Sequence, residues 1–514
     1  MLFNTVDYLI FLLIVVTIYF CIPKRVRNAW LFIVSCYFYM QWNPKYIILL
    51  FISITLTYSC GIIIERLRIN GKNAEESCEP DKNEILRKNR GLQKVCLAVC
   101  TLLNLGILGF YKYFSFGVQW INHLLAVFQI EKIRWEHEVM LPVGISFYTL
   151  QALGYLMDVY RGEIYAEKNF MRYALFVSFF PQLVAGPIER SRNLLVQLNT
   201  SRSFRYENLR KGMLLVLYGM FLKVVIADRA AVFVDTVYEN SAAYPGFYIV
   251  AATVFFAIQI YCDFYGYSTI ARGSALIMDI HLMDNFNAPY YAGSVKEFWR
   301  RWHISLSGWF RDYLYIPLGG SRKGTVRKQV NLLAVFMVSG LWHGASAAFI
   351  FWGLLNGIYQ VVEEAAAWVK RQVSKYCTGL AGSCCVRFST KVCRTVFTFL
   401  PVTFAWLFFR AGGLKEASEI LGNMFSVNNW WVLFDGSMYE AGIARNYMNV
   451  MIGSILLLFV VDYQKYRGKD AADLFLKQGW WFKVTGIMLM IFTILLYGCY
   501  GELYDVQQFI YFQF

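Results

Sequence analysis

The sequence predicts an all-α, polytopic membrane protein, and three observations carry that prediction. First, 58% of its 514 residues are hydrophobic and only 16% are charged, where a soluble domain carries about 25% charged residues. Mean hydropathy is +0.43. Second, apolar runs recur from end to end. Third, the Lys and Arg residues behind the net charge of +15 lie between those runs. That placement reads as cytoplasmic anchoring loops and excludes a nucleic-acid surface.

The first run, Tyr8–Ile22, has no basic segment before it and no small-residue cleavage site. Lys24-Arg25-Val26-Arg27 follows it, so it reads as a retained span rather than a cleaved signal. Ala29–Met40 and Tyr46–Ile64 come next. Residues 65–94 are polar and charge-rich, and read as a mobile cytoplasmic loop. The later apolar runs are Val95–Phe110, Gly117–Ile130, Leu141–Met157, Phe170–Ile188, Met213–Ala227, Phe247–Phe264, Val330–Val362, Val396–Phe409, Tyr447–Val461 and Trp481–Tyr497. Several are shorter than the roughly 20 residues a straight span needs, which predicts tilted, re-entrant or interfacial helices around an interior cavity.

Basic stretches set the orientation. Lys24–Arg27 has three Lys or Arg, Arg66–Lys94 eight, Glu189–Lys211 six, Lys296–Lys328 eight against two acids, and Lys370–Arg394 six with no acid. All five are expected in the cytoplasm, with the N-terminus outside. One conflict follows. Lys328 and Lys370 both favour the cytoplasm, yet Val330–Val362 lies between them. Either this run is two short arms turning near Gly340–Gly344, or it is one long tilted helix. His343 then lies roughly 20 Å deep at 1.5 Å rise per residue.

The chemistry-bearing residues are few. Twelve cysteines are scattered without a Cys-x-x-Cys pair, and Cys377, Cys384 and Cys385 fall in a basic stretch. They read as small apolar fillers and free thiols, and no metal site is expected. Only five histidines occur. His343, in Gly340-Leu341-Trp342-His343-Gly344, lies inside an apolar run, where an ionisable side chain is a functional candidate by default. Gly344 beside it would leave room for a substrate atom. A neutral imidazole there can take a proton from a hydroxyl and act as a general base.

His303 lies in Phe298-Trp299-Arg300-Arg301-Trp302-His303. Read as one helix, Phe298–Phe310 has an apolar face of Phe298, Trp299, Trp302, Leu306, Trp309 and Phe310, with the basic residues opposite. This is the pattern of a helix in the membrane interface. His303 is expected on the apolar side, near the cytoplasmic face. Arg311 and Asp312 are expected to pair with each other or with neighbours, and Pro317-Leu318-Gly319-Gly320 to make a turn. Gln259 and Asp263 sit at membrane depth, as do Asp158, Lys223 and Asp228. Internal pairing between helices is the simpler reading for all of these but Asp263. No catalytic-serine elbow, nucleotide fingerprint or metal cluster is present.

Together, Leu141-Pro142-Val143-Gly144-Ile145-Ser146-Phe147-Tyr148, Phe180–Ile188, Gln259–Ser268, Phe298–Gly320, Gly340–Gly344 and the C-terminal Gln508–Phe514 resemble the membrane-bound O-acyltransferase superfamily. The resemblance is strongest to its bacterial alginate O-acetyltransferase branch, with the teichoic-acid D-alanyl transfer proteins as relatives. It implies a single membrane domain over 1–514, a ring of helices around a central tunnel, and a catalytic region at 296–344. It places the superfamily histidine on His343 and the second polar position on His303. By the same resemblance a cytoplasmic thioester, acetyl-CoA or an acyl carrier, is the donor, with no bound cofactor. His343 would take the acceptor's proton, and His303 would orient or polarise the donor carbonyl. Trp342, Trp299, Trp302, Asp263, Gln259, Arg311 and Asp312 are the candidate tunnel residues. The implied function is O-acetylation of an extracytoplasmic polysaccharide from the bacterial cytoplasmic membrane, aided by a separate extracytoplasmic acetyltransferase. D-alanyl transfer to teichoic acid, or a transporter or flippase without chemistry, are the alternatives. An inverted hydropathy repeat would favour the transporter, and none is evident.

Overall fold

The computed structural model describes residues 1–76, 82–132, 140–184, 186–200, 202–373, 384–500 and 510. Every regular element among the described residues is helical, as the composition predicts. Six of these helices are long and apolar enough to cross a membrane. The chain divides into two compact units, Met1–Met213 with Ala271–Met283, and Leu214–Ile270 with Asp284–Phe514.

The first unit contains α1 (Val6–Cys21), α2 (Arg27–Met40), α3 (Ile47–Glu76), α4 (Lys82–Val127), α5 (Ile145–Arg161), α6 (Phe170–Ser178), α7 (Phe180–Leu183), α8 (Ser191–Asn199) and the start of α9 (Tyr206–Phe221). Two expectations are corrected here. The stretch 65–94 is not a loop outside residues 77–81: α3 runs on to Glu76 and α4 begins at Lys82. Its Glu, Lys, Arg and Leu residues are strong helix formers, so helices begun in apolar runs continue through solvated charge. Val95–Phe110 and Gly117–Ile130, the latter as far as Val127, likewise lie in the single 46-residue α4. Two of the motif stretches meet in this unit. Gly144 has φ +75°, and a Cβ there would lie 2.5 Å from the Leu183 carbonyl oxygen, so only glycine allows the start of α5 to close on α7.

The second unit continues α9 through a π-helical turn, Leu222–Ala227, into α10 (Asp228–Glu239), and includes α11 (Phe247–Ile277) up to Ile270. It then contains α12 (Val295–Arg301), α13 (Ile304–Phe310), α14 (Thr325–His343), α15 (Ala347–Val373), α16 (Cys384–Arg410), α17 (Leu414–Ser426), α18 (Arg445–Tyr466), α19 (Ala471–Leu476) and α20 (Trp480–Tyr497). Cys377 lies outside the described residues, as do the side chains of Cys384 and Cys385 and all of Gln508–Phe514 except Ile510. The eight described cysteines are free thiols.

Close backbone packing organises this unit. A Cβ on Gly219 would lie 2.6 Å from the Gly266 carbonyl oxygen, and one on Gly266 2.8 Å from that of Gly219. α9 and α11 therefore touch backbone to backbone. One turn further along, Lys223 places its ammonium 2.7 Å from Asp228 and 2.7 Å from Asp263. Asp263 also accepts the Ile510 amide at 2.8 Å, and all three charged side chains are buried. The expectation of internal pairing thus extends to Asp263 as well. Buried carboxylates need such partners because desolvating a lone charge is costly.

The same device builds the α14–α15 hairpin. A Cβ on Gly340 would lie 2.2 Å from the Phe349 carbonyl oxygen, and one on Gly353 2.2 Å from that of Phe336. These pairings run antiparallel, so Val330–Val362 is two arms turning after His343. Lys328 pairs with Glu364 across them. The hairpin settles the conflict over the basic flanks: both of its open ends lie on one side. His343 is the last of α14's 19 residues, about 27 Å along the axis from Thr325.

Two outcomes are expected. Lys223→Met leaves two carboxylates buried together, so it should lower stability by about 3–5 kcal/mol, read as a lower melting temperature and reduced membrane abundance. An unchanged melting temperature would contradict the role of the network. Gly353→Ala forces a methyl against the Phe336 carbonyl, at a cost of about 1–3 kcal/mol from overpacking. It should lower both thermal stability and activity, whereas Gly453→Ala, with nothing within 4 Å of the added Cβ, should be tolerated.

Candidate functional site

His303 lies at a break in the chain rather than on a continuous surface helix. α12 begins where the Ser294 hydroxyl caps the Glu297 amide at 3.0 Å, and it ends at Arg301. Trp302 is extended, His303 takes φ 42° and ψ 55°, and α13 starts at Ile304. The sequence pattern over Phe298–Phe310 conceals this break, because residues on both sides keep apolar spacing. The cause is a docked loop. The Asn285 carbonyl accepts the Ile304 amide at 2.9 Å, and the Asn287 amide donates to the Arg301 carbonyl at 2.9 Å. The loop thus satisfies backbone groups that the interrupted helix exposes. A non-glycine residue at such a φ stores about 1–3 kcal/mol, and residues held this way cluster at functional sites.

The Asn285 side chain completes the clamp. Its Oδ1 accepts the Ser305 hydroxyl at 2.7 Å and the Ser305 amide at 3.2 Å, and lies 3.3 Å from His303 Nδ1. A backbone amide can only donate, so the atom facing it is an oxygen, and His303 Nδ1 must bring the proton to that oxygen. Nε2 then carries the lone pair. His303 is 1% exposed, and burial pushes its imidazole down to about 3, so the ring is neutral at physiological pH. In this state Nε2 accepts hydrogen bonds or a proton. It cannot donate to a carbonyl oxygen, so the expected polarising role does not fit this tautomer. Asn285 Nδ2, in contrast, is a buried donor without a hydrogen-bond partner among the described residues.

Trp342 links the two imidazoles, with its ring centroid 6.1 Å from that of His303 and 4.8 Å from that of His343. Phe264 of α11 meets His303 edge-on at 4.6 Å. Trp352 and Phe409 meet His343 at 5.1 and 5.2 Å. His343 is buried, at 4% exposure. Gly344 serves a different purpose from the one its size implied: a Cβ there would lie 2.2 Å from the Phe349 ring. The space beside His343 is filled by that ring.

The other candidates divide by their surroundings. Trp299 donates to Asn356 at 3.3 Å and packs on Trp352 at 5.6 Å. Trp302 is wrapped by Trp406, Phe286 and Phe298 at 5.0, 5.1 and 5.4 Å. Both belong to the aromatic wall behind the imidazoles, where ring pairs add packing energy beyond area alone. Gln259, one turn before Asp263, is buried, and its Oε1 has no partner among the described residues. Arg311 and Asp312 pair with each other at 2.9 Å, with the Arg311 side chain 67% exposed. No group of three or more metal-binding side chains occurs among the described residues.

Sequence reasoning missed Asn285, Trp352, Trp406 and Phe409. Asp284-Asn285-Phe286-Asn287 reads as turn chemistry, and nothing in the spacing ties it to His303. Trp352 joins the site only through the hairpin, and Phe409 only through α16.

Two imidazoles in one apolar, aromatic-walled core can move a proton where water is scarce. The comparisons with known proteins agree with that chemistry. The model of the MBOAT, membrane-bound O-acyltransferase family, matches residues 166–381. A probable alginate O-acetylase, AlgI, of Pseudomonas syringae is 34% identical over 91% of this chain and 83% of its own length. The peptidoglycan O-acetyltransferase of Helicobacter pylori is 33% identical over 80% and 77%. A teichoic acid D-alanyltransferase of Bacillus subtilis is 26% identical over 43% and 58%. With full-length relatives at this identity and a multi-pass helical structure carrying two buried histidines, the chain belongs to the membrane-bound O-acyltransferase family and is an acyltransferase.

Proposed function

We propose that this protein moves an acetyl group from a cytoplasmic thioester, acetyl-CoA or an acyl carrier, to O-acetylate an extracytoplasmic polysaccharide. The carrying observation is the pair of buried imidazoles joined by Trp342. His343 takes the proton of the acceptor hydroxyl. The oxygen attacks the thioester carbonyl, the carbon–sulfur bond breaks, and the sulfur leaves with the electron pair and is protonated to the free thiol. His303 works on the donor side, its Nε2 accepting an N–H or O–H of the thioester arm and so fixing the arm's position. Asn285 Nδ2 is the buried donor best suited to a carbonyl oxygen in that region, and Gln259 is a further polar group for substrate. Trp342, Trp299 and Trp302 line or support the passage.

Two relatives named for polysaccharide O-acetylation, each matched over most of its length, support the acceptor class. D-alanyl transfer to teichoic acid has weaker support, since that relative matches less than half of this chain. The same bacterial relatives support a place in the cytoplasmic membrane, and the family resemblance is the ground for proposing a separate extracytoplasmic acetyltransferase that completes delivery. The excess of eight basic over two acidic residues in Lys296–Lys328 supports a cytoplasmic face for that stretch.

Replacing His343 by Ala should lower polysaccharide acetylation by about 10²–10⁴-fold at equal membrane abundance. Near-wild-type acetate release from the cell-wall and exopolysaccharide fractions would refute the assignment, and release of D-alanine instead of acetate would move it to the D-alanyl branch. His303→Ala should slow use of a labelled thioester donor, measured apart from final transfer. Equal loss of both steps in both variants would mean that the histidines act as one unit.

Orientation has its own test. A cysteine placed at the exposed Ser321 should resist impermeant maleimide in intact cells and react once the membrane is opened. Ready labelling from outside would reverse the topology.

A further inference from the structure

We propose that Asn285 is a positioning residue that sets the tautomer of His303, and with it which imidazole nitrogen meets the acyl donor. The inference rests on the reading that His303 acts in acyl transfer, and it adds the group that makes it competent. An imidazole at a break between two seven-residue helices has no intrinsic reason to carry its proton on one nitrogen. Here the choice is forced. Asn285 Oδ1 receives the Ser305 amide and hydroxyl, so it is held as an oxygen, and the same oxygen faces His303 Nδ1 at 3.3 Å as a shared, longer contact. The Asn285 carbonyl meanwhile holds Ile304, the residue after the left-handed His303. One residue therefore fixes both the backbone turn and the proton.

Phe264 and Trp342 approach the His303 ring from α11 and α14. The nearby ionisable residues are engaged elsewhere. Asp263 on α11 is held by Lys223, Asp284 in the loop by Lys465 of α18, and Glu297 and Arg301 on α12 by each other. A neutral amide at position 285 directs the proton without charging the ring, whereas a carboxylate in its place would favour the imidazolium.

The test uses the full-length protein in nanodiscs with a labelled acetyl thioester. In Asn285→Asp the two oxygens can still take the Ser305 donors and Nδ1–H, but the charge holds His303 protonated at low pH, which occupies Nε2. As pH rises the ring loses that proton and Nε2 is restored. An adjacent carboxylate raises an imidazole by about 1–3 pKa units, so from a starting value of about 3 the ratio of variant to wild-type transfer rate should climb by about tenfold between pH 4 and 8.5 for a rise of about two units. A ratio that stays flat with pH, at normal abundance and melting temperature, would leave Asn285 a structural clamp only and overturn the proposal. A second readout needs no variant. With five histidines in the chain, selective ¹⁵N labelling should give His303 a protonated Nδ1 and a bare Nε2 in the wild-type protein, and the reverse pattern would also overturn it. Loss of transfer in Asn285→Asp combined with full activity in His303→Ala would instead refute the role of His303 itself.

Discussion

The site depends on one constraint: backbone groups exposed by a broken helix and taken out of water are costly to leave unpaired, and here the partners are also the positioning devices. At the α12–α13 break, Asn285 and Asn287 satisfy the Ile304 amide and the Arg301 carbonyl that the interrupted helix exposes. The spacing of Phe298–Phe310 favours a continuous helix, and the docked loop meets the chain where that helix is interrupted at His303. The strain at His303 is therefore the local consequence of a requirement that the surrounding backbone imposes, which is the condition under which such conformations persist.

His343 is placed by a different route to the same end. Its helix is pinned to α15 at Gly340 and Gly353, where no side-chain atom fits between the backbones. Contact at that range leaves little freedom to slide, so backbone packing fixes the position of the last residue of α14. The aromatic wall then fixes the ring. Trp352 and Phe409 meet it at nearly perpendicular or steep angles, and Trp352 is itself stacked on Trp406 at 5.5 Å. A rigid apolar surround excludes water, and in that setting a proton passed to an imidazole is held by few and well-placed groups.

Much of this was legible in the chain, and the parts that were not share a physical reason. Composition and long apolar runs identify an all-helical membrane protein, because burial in lipid leaves few alternatives. The basic flanks of Val330–Val362 pointed to a hairpin as one of two solutions, and the glycines within it are what select that solution. The Phe298–Phe310 stretch misled because periodicity reports which residues prefer burial and says nothing of an outside loop that captures the backbone. Residues 65–94 misled in the opposite direction: charge was read as disorder, although Lys, Glu and Arg extend a helix readily once it is nucleated. Asn285 was invisible because its partners lie about a loop and a helix away in sequence, and an Asn next to Asp, Phe and Asn reads first as a turn.

The buried charges and the buried histidines also separate scaffold from chemistry. Lys223, Asp228 and Asp263 are the most obviously ionic residues in the interior, and on sequence grounds Asp263 looked the most available for substrate. Yet its two oxygens are taken by an ammonium and a backbone amide, and that ammonium serves two carboxylates at once. To use Asp263 as a base would break a network whose members cannot be left alone in a low-dielectric core. A neutral imidazole carries no such debt. It can accept a proton transiently and return it, and its resting state needs no counter-ion. An imidazole suits proton transfer in a core this apolar better than a carboxylate tied into such a network, which is the ground on which we propose His343 and His303 for the chemistry, while Asp228 and Asp263 pair with Lys223.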